Sequence, residues 1–279
     1  MKFNDLASVS ARYKPMLAHT HKNLQGHALL IGGSAGKMGA IALAAMAAMR
    51  SGCGKVTTYI PISGNTMIQT VMPEVMSLFD ENEQHFTQFP AATSYQAVGI
   101  GPGLGTHSST VKAFNSWPFP NKLVIDADAL HLLADRPTLW AQLTTETLLT
   151  PHAGEWEYLS GISANADDYL HTSQLWVQQH PCILVLKGAP THIITPTEII
   201  ESTTGHCGQA TAGSGDTLTG VLTSLLAQGY SPIDAACLGV FIHGRAAELA
   251  LAEQSTESFV ASDGIKYFGQ VFKEIGASV

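Results

Sequence analysis

The residues best suited to chemistry stand together at positions 210–220, which read Ala-Thr-Ala-Gly-Ser-Gly-Asp-Thr-Leu-Thr-Gly. Two glycines lead to an acid, Asp216, at the head of an apolar stretch that predicts a helix from about Asp216 to Gln228. Backbone amides of Gly213, Ser214 and Gly215 at such a helix start form an anion hole suited to a phosphoryl group in transfer. Asp216 beside them can take the proton from an accepting hydroxyl. An aspartate in the first turn is also favoured by the helix dipole alone. Residue chemistry does not choose between these two roles.

Two further glycine clusters point the same way. Gly32, Gly33, Gly36 and Gly39 follow one predicted strand, and Gly99, Gly101, Gly103 and Gly105 close another. With Gly205, Gly208, Gly213, Gly215 and Gly220 they hold thirteen of the 26 glycines. Loops without Cβ atoms let backbone amides approach an anionic ligand. Neither familiar phosphate motif is present. Gly36-Lys37 and Gly54-Lys55 lack the following Ser or Thr of a P-loop, and Gly101-Pro102-Gly103 and Gly213-Ser214-Gly215 lack the last glycine of a GxGxxG turn. Among the other reactive side chains, Lys187 ends an apolar strand and can pair with phosphate. Asp126, Asp128 and Glu155 lie at or just beyond strand ends. They can organise Mg2+ through water, but no residue is assigned as a direct metal ligand. Asp128 is equally suited to cap the helix that follows.

These groups need elements to hold them. Apolar and β-branched runs predict strands at 27–31, 55–60, 97–100, 123–125, 147–149 and 182–186, with a hairpin at 192–194 and 198–200. Helices are expected at 39–50, 108–116, 129–134, up to about 180, at 216–228, at 232–253 and from about 263. Residues 1–25 read as an irregular arm or a short helix. Repeated strand–helix units predict an α/β fold: a mostly parallel central sheet with helices on both faces and a short antiparallel hairpin at its edge. No linker or repeat divides residues 1–279, so a single domain is expected. Ligands in such sheets sit at the carboxyl ends of the strands.

Composition limits the partners. Charged residues make up 13% of the 279 positions, against roughly 25% in an average soluble domain. Lys and Arg number 14 against 22 Asp and Glu, a net charge of −8. That excludes a broad basic face for nucleic acid or an anionic membrane. The 45% hydrophobic content excludes disorder. Cys53, Cys182, Cys207 and Cys237 form no CxxC pair, and the N-terminus has no apolar leader core. A cytoplasmic protein is expected. The longest apolar stretch, Ile41 to Met49, is far shorter than the ~20 residues of a membrane span.

Eight segments occur in an order that resembles one family. They are GHALLIGGSAGKMGA from Gly26, PEVM from Pro73, GIGPGLG from Gly99, VIDADAL from Val124, LTPHAGEW from Leu149, LKGAPTHI from Leu186, ATAGSGDTLTG from Ala210 and FIHGRAAELA from Phe241. The chain resembles the ADP-dependent NAD(P)H-hydrate dehydratases of the ribokinase-like superfamily from about Gly26 to Phe268. The resemblance implies repair of a hydrated nicotinamide cofactor, with ADP as co-substrate and Mg2+. Water is removed from the S-epimer of hydrated NADH or NADPH while ADP becomes AMP and phosphate. By position it implies that Ala40, Gly103, His152 and Asp216 contact the hydrated dinucleotide, with Asp216 catalytic. Lys187, Gly188, Ala189, Pro190 and Thr191 become the nucleotide-binding strip, with Gly215 beside the AMP portion. A homotetramer and a functional partner, NAD(P)H-hydrate epimerase, are implied as well; an epimerase domain fused N-terminally has no room in this sequence.

The chain departs from that family in one loop. Where the family reads close to Gly-Asn-Pro-Gly-Met-Ala-Thr-Gly-Gly, it has Gly205-His206-Cys207-Gly208-Gln209-Ala210-Thr211-Ala212-Gly213. Loop shape, and the preference for ADP over ATP, are exposed to that change. The runner-up expectation is a ribokinase-like kinase of a small alcohol, of the hydroxymethylpyrimidine or hydroxyethylthiazole type. It would share Asp216 and the anion hole, but a small heterocycle needs no pyrophosphate loop. A non-catalytic nucleotide-binding regulator would need no base.

Overall fold

The computed structural model describes residues 2–278. The first half of the chain contains β1 (Lys2–Asn4), α1 (Leu6–Ser10), β2 (His27–Ile31), α2 (Met38–Arg50), β3 (Lys55–Pro61), α3 (Asn65–Val71), β4 (Met76–Asp80), β5 (Ala97–Ile100), α4 (Ser108–Ser116), β6 (Leu123–Ile125) and α5 (Ala127–Ala134). The second half contains β7 (Thr147–Leu149), α6 (Ala153–Ser160), α7 (Tyr169–Gln179), β8 (Ile183–Leu186), β9 (His192–Ile194), β10 (Ile199–Ser202), α8 (Ser214–Ala227), α9 (Pro232–Leu251), α10 (Ala261–Lys266) and α11 (Phe268–Ala277).

The strands form one ten-stranded sheet in the order β1-β10-β9-β8-β7-β6-β5-β2-β3-β4. Only β9 runs against the rest, pairing antiparallel with β8 and β10. Strand parity splits the core in two. Ala28, Leu30, Ala97, Val124 and Leu148 face one side and pack with α2, α8 and α9. Leu29, Ile31, Val98, Ile100, Leu123, Ile125 and Leu149 face the other, against Phe114, Leu133, Trp156 and Trp176. Both faces of each central strand are therefore apolar, which is why these strands read as unbroken hydrophobic runs.

Three features differ from the sequence-based expectation. The N-terminal arm is not irregular at its start: β1 adds to the sheet edge beside β10, which places the hairpin one strand in from that edge. Three residues with two of them exposed carry no strand pattern. Residues 65–80 supply α3 and the outer strand β4, whose Met76 and Leu78 are exposed rather than core. The C-terminal helix is two helices meeting at Tyr267. All four cysteines are free, and only Cys207 is exposed. Among the described residues no helix is long and apolar enough to cross a membrane.

Candidate active site

Chain turns at the carboxyl ends of β5, β6, β7 and β8 bring the reactive side chains together. Asp126 follows β6 directly and is buried. Its Oδ1 lies 2.8 Å from Lys187 Nζ, and its Oδ2 accepts from Thr219 Oγ1 at 2.7 Å. Lys187 follows β8, where its amide donates to the Pro151 carbonyl at 2.8 Å. Ala127, which follows Asp126, has φ +48°, the one positive φ outside glycine among the described residues. Such strain persists where the surroundings fix the backbone. Gly101 supplies part of that fixing: with φ +130°, it lies so close that a Cβ would fall 1.8 Å from the Asp126 carbonyl oxygen.

His152 caps α6. Its Nδ1 accepts from the amides of Gly154 and Glu155, while Glu155 Oε2 accepts from the His152 amide at 2.8 Å. This reciprocal cap turns Glu155 inward, 3.6 Å from Lys187 Nζ. Burial alone would depress the Lys187 pKa; Asp126 and Glu155 outweigh it and hold the ammonium above the ordinary lysine value.

Asp216 stands in the first turn of α8. Burial, and next the negative charge of Asp126, push its carboxyl up to about 6, against the opposing pull of Lys187. Of the three amides expected to form an anion hole, that of Ser214 turns back to the Thr211 carbonyl at 3.3 Å. Gly215 and Asp216 are the second and third residues of the helix, so their amides have no intrahelical acceptor. A Cβ at Gly215 would come within 3.1 Å of Lys187 Nζ, so the cation lies against the helix start at a spacing that a larger residue would crowd.

A cavity of about 730 Å³ opens at this point. His152, Lys187, Gly188, Ala189, Pro190, Thr191, Ser214 and Gly215 all line it. The opposite wall is the loop with the unusual sequence. Residues Cys207–Gln209 form a single 3-10 turn capped by His206, whose Nδ1 accepts from the Gly208 amide at 3.1 Å. Gln209 closes the cap through the His206 amide and reaches His243 on α9. The substituted loop is thus a built element with its own hydrogen bonds. Gln209 stands out in the sequence as part of the loop's departure from the family, whereas His243 does not stand out as a functional residue. The one visible signal is an imidazole in the otherwise apolar run before Gly244.

Ala40 and Gly103 meet in a separate wall made by two glycine loops, outside the residues that line the cavity. Gly33 N donates to the Pro102 carbonyl at 2.9 Å and Ser34 N to that of Gly103 at 2.6 Å. Gly103 has φ +59°, and a Cβ there would lie 3.2 Å from the Ala40 Cβ. Asp128 ties this wall to the acids: its Oδ2 accepts from the Gly105 amide at 2.8 Å and from Lys37 Nζ at 3.0 Å. Its charge also raises the Asp216 pKa.

Asp126, Asp128 and Glu155 therefore have protein partners already. Among the described residues no three His, Cys, Asp or Glu side chains converge as a metal cage. These acids offer no three-ligand protein cage, so Mg2+ here would draw most of its ligands from phosphate and water.

The mostly parallel sheet flanked by helices shares its fold with a ribokinase-like superfamily protein of Enterococcus faecalis, at a TM-score of 0.86 and 22% identity. The chain belongs to the NAD(P)H-hydrate dehydratase family, whose sequence profile matches residues 28–267. It is 36% identical over 250 residues to an ADP-dependent (S)-NAD(P)H-hydrate dehydratase of Neisseria meningitidis, covering 85% of this chain and 81% of that one. It is 33% identical over 276 residues to a bifunctional NAD(P)H-hydrate repair enzyme of Moorella thermoacetica, covering 94% of this chain but 52% of the relative. The chain thus spans about half the length of the bifunctional relatives it matches. The crystal structure of the ADP/ATP-dependent NAD(P)H-hydrate dehydratase from Bacillus subtilis, co-crystallised with ATP and Mg2+, superposes with a TM-score of 0.84 at 28% identity, covering 98% of each chain.

Proposed function

We propose that this chain removes water from the S-epimer of hydrated NADH or NADPH, using ADP and releasing AMP and phosphate. One observation carries the reading. A carboxylate held near pKa 6 sits at a helix start with free amides, beside a cavity lined by Lys187–Thr191. A base poised near neutral pH next to an anion site suits phosphoryl transfer to a hydroxyl.

Hydroxide is a poor leaving group and phosphate a good one. Asp216 takes the proton of the C6 hydroxyl as its oxygen bonds to the β-phosphorus of ADP. The bond from that phosphorus to the bridging oxygen breaks, and AMP leaves. The lone pair of the ring nitrogen then expels phosphate by cleaving the C6–O bond. Loss of a proton from C5 restores the ring double bond. The amides of Gly215 and Asp216 oppose the charge on the transferring group. Ala40, Gly103 and His152 hold the dinucleotide, and Lys187 to Thr191 hold the nucleotide. The B. subtilis relative takes ATP/Mg2+. A divalent cation that accompanies the nucleotide would be held chiefly by phosphates and water and would offset the phosphate charge, because Asp126, Asp128 and Glu155 already have protein partners.

Bifunctional relatives support an NAD(P)H-hydrate epimerase as the functional partner, supplying the S-epimer. A homotetramer in the cytoplasm fits the same reading; the exposed Val71, Met76 and Leu78 along α3 and β4 offer apolar surface for subunit contact. The test is Asp216→Asn: turnover is lost while nucleotide binding survives. Turnover near the wild-type rate in that variant would remove Asp216 as the base.

A further inference from the structure

An unambiguous donor fixes a chain of hydrogen bonds in the cavity wall. The His206 amide can only donate, and it donates to Gln209 Oε1 at 3.0 Å. The Gln209 side chain is thereby oriented with its NH2 group toward α9. That group donates to His243 Nδ1 at 3.2 Å and to the His243 carbonyl at 3.3 Å. Nδ1 is therefore an acceptor, and a neutral imidazole then carries its proton on Nε2. Burial pushes His243 down to about 4, so the ring is neutral at neutral pH. Nε2 lies 3.3 Å from Ser214 Oγ and also within reach of the Ser214 backbone carbonyl, which accepts from Thr217 Oγ1 at 2.7 Å. Ser214, His243 and Gln209 all line the cavity.

We propose that Gln209 and His243 are positioning residues that make the Ser214 hydroxyl a donor into the cavity. The hydroxyl receives the Nε2 proton on one lone pair, so its own O–H is free to point at an anion. The Ser214 amide is turned away to Thr211, so the side chain supplies the donor that the backbone of this residue does not. The anion is the phosphoryl group in transfer, which rests on the dehydratase reading above. Gln209 stands where the family resemblance places a methionine, which could not orient the ring. The orienting device therefore belongs to this chain's own loop sequence.

Two measurements test it. The 15N shifts of the His243 ring, assigned by difference with His243→Gln, report which nitrogen holds the proton. Nε2–H is expected in the wild type, and a shift toward Nδ1–H in Gln209→Glu, whose carboxylate only accepts. Nδ1–H in the wild type would overturn the inference, whatever reaction the protein catalyses. Kinetics with hydrated NADH and ADP form the second arm. Ser214→Ala lowers kcat by about ten- to a hundredfold, the worth of one hydrogen bond to a charged group. Gln209→Met and His243→Leu each lower kcat in the wild-type background, but neither lowers it further alongside Ser214→Ala. His243→Gln, which keeps a donor near Nε2, recovers part of the His243→Leu loss. Losses that multiply with Ser214→Ala would show a separate, structural role and overturn the proposal. Gln209→Met lies in a surface turn and keeps this arm decisive if His243→Leu does not fold.

Discussion

Lys187 Nζ lies 2.8 Å from Asp126 Oδ1, so the cation at the end of β8 is neutralised within the protein. Asp126 is 1% exposed at its side chain and Lys187 20%. An anion site beside four acids therefore depends on backbone amides, with Lys187 as a balanced charge rather than a free one. Removing one partner of a buried pair strands the other, at a cost of about 3–5 kcal/mol. Lys187→Met should lose stability on that scale in urea unfolding, and Asp126→Asn in the same chain should return part of it.

The same pair sets the pH behaviour. Lys187 pulls the Asp216 pKa down, against burial and Asp126. A base must be ionised to act, so kcat/KM should rise with pH through a limb near 6, the pKa of Asp216 in the free protein. In any Lys187→Met protein that still turns over, the limb should move to higher pH. A limb that stays in place would mean that another group titrates.

Asp216 should also carry a stability penalty. Folding raises its pKa from 3.8 to about 6, so the native state prefers the protonated acid. The stabilising effect of that preference is present below the unfolded value, and is lost as pH rises through the folded one. Ionised Asp216 then costs about 2–3 kcal/mol, at roughly 1.4 kcal/mol per pKa unit. Asp216→Asn should lower kcat by about 10²–10⁴-fold. It should also melt higher than the wild type at about pH 8, with that advantage gone below about pH 4. Calorimetry at the two pH values checks the sign.

Gly103 tests the dinucleotide wall. Its φ of +59° and the Lys37 carbonyl, 2.5 Å from a built Cβ, leave no room for a side chain. Gly103→Ala should cost about 1–2 kcal/mol from backbone strain. It should raise KM for the hydrated cofactor more than KM for ADP. An equal rise in both would place the contact elsewhere.

The central strands and the helix after the Gly-Ser-Gly-Asp segment were legible because strands buried on both faces read as apolar runs. Strand β6 at Leu123–Ile125 and strand β7 at Thr147–Leu149 match their expected bounds. The edges were not legible. Strand β1 owes its place to pairing with β10, a partner nearly two hundred residues away in the chain, and β4 exposes the side chains that a core strand would bury. In the site, the individual acids and Lys187 could be named, but not their pairing, since Asp126 and Lys187 meet only once β6 and β8 are in one sheet. The loop before Gly213 looked like a loss of family shape. In the structure His206 and Gln209 cap it, a relation that depends on the turn geometry and not on residue type alone.

The most direct measurement supplies the S-epimer of hydrated NADH with ADP and Mg2+ and follows the near-ultraviolet absorbance of the restored dihydronicotinamide. Recovery of that absorbance, with AMP and phosphate formed in equal amounts to NADH, is the expected result. No recovery with either ADP or ATP, together with a stable phosphate ester formed on a small alcohol of the hydroxymethylpyrimidine or hydroxyethylthiazole type, would contradict it.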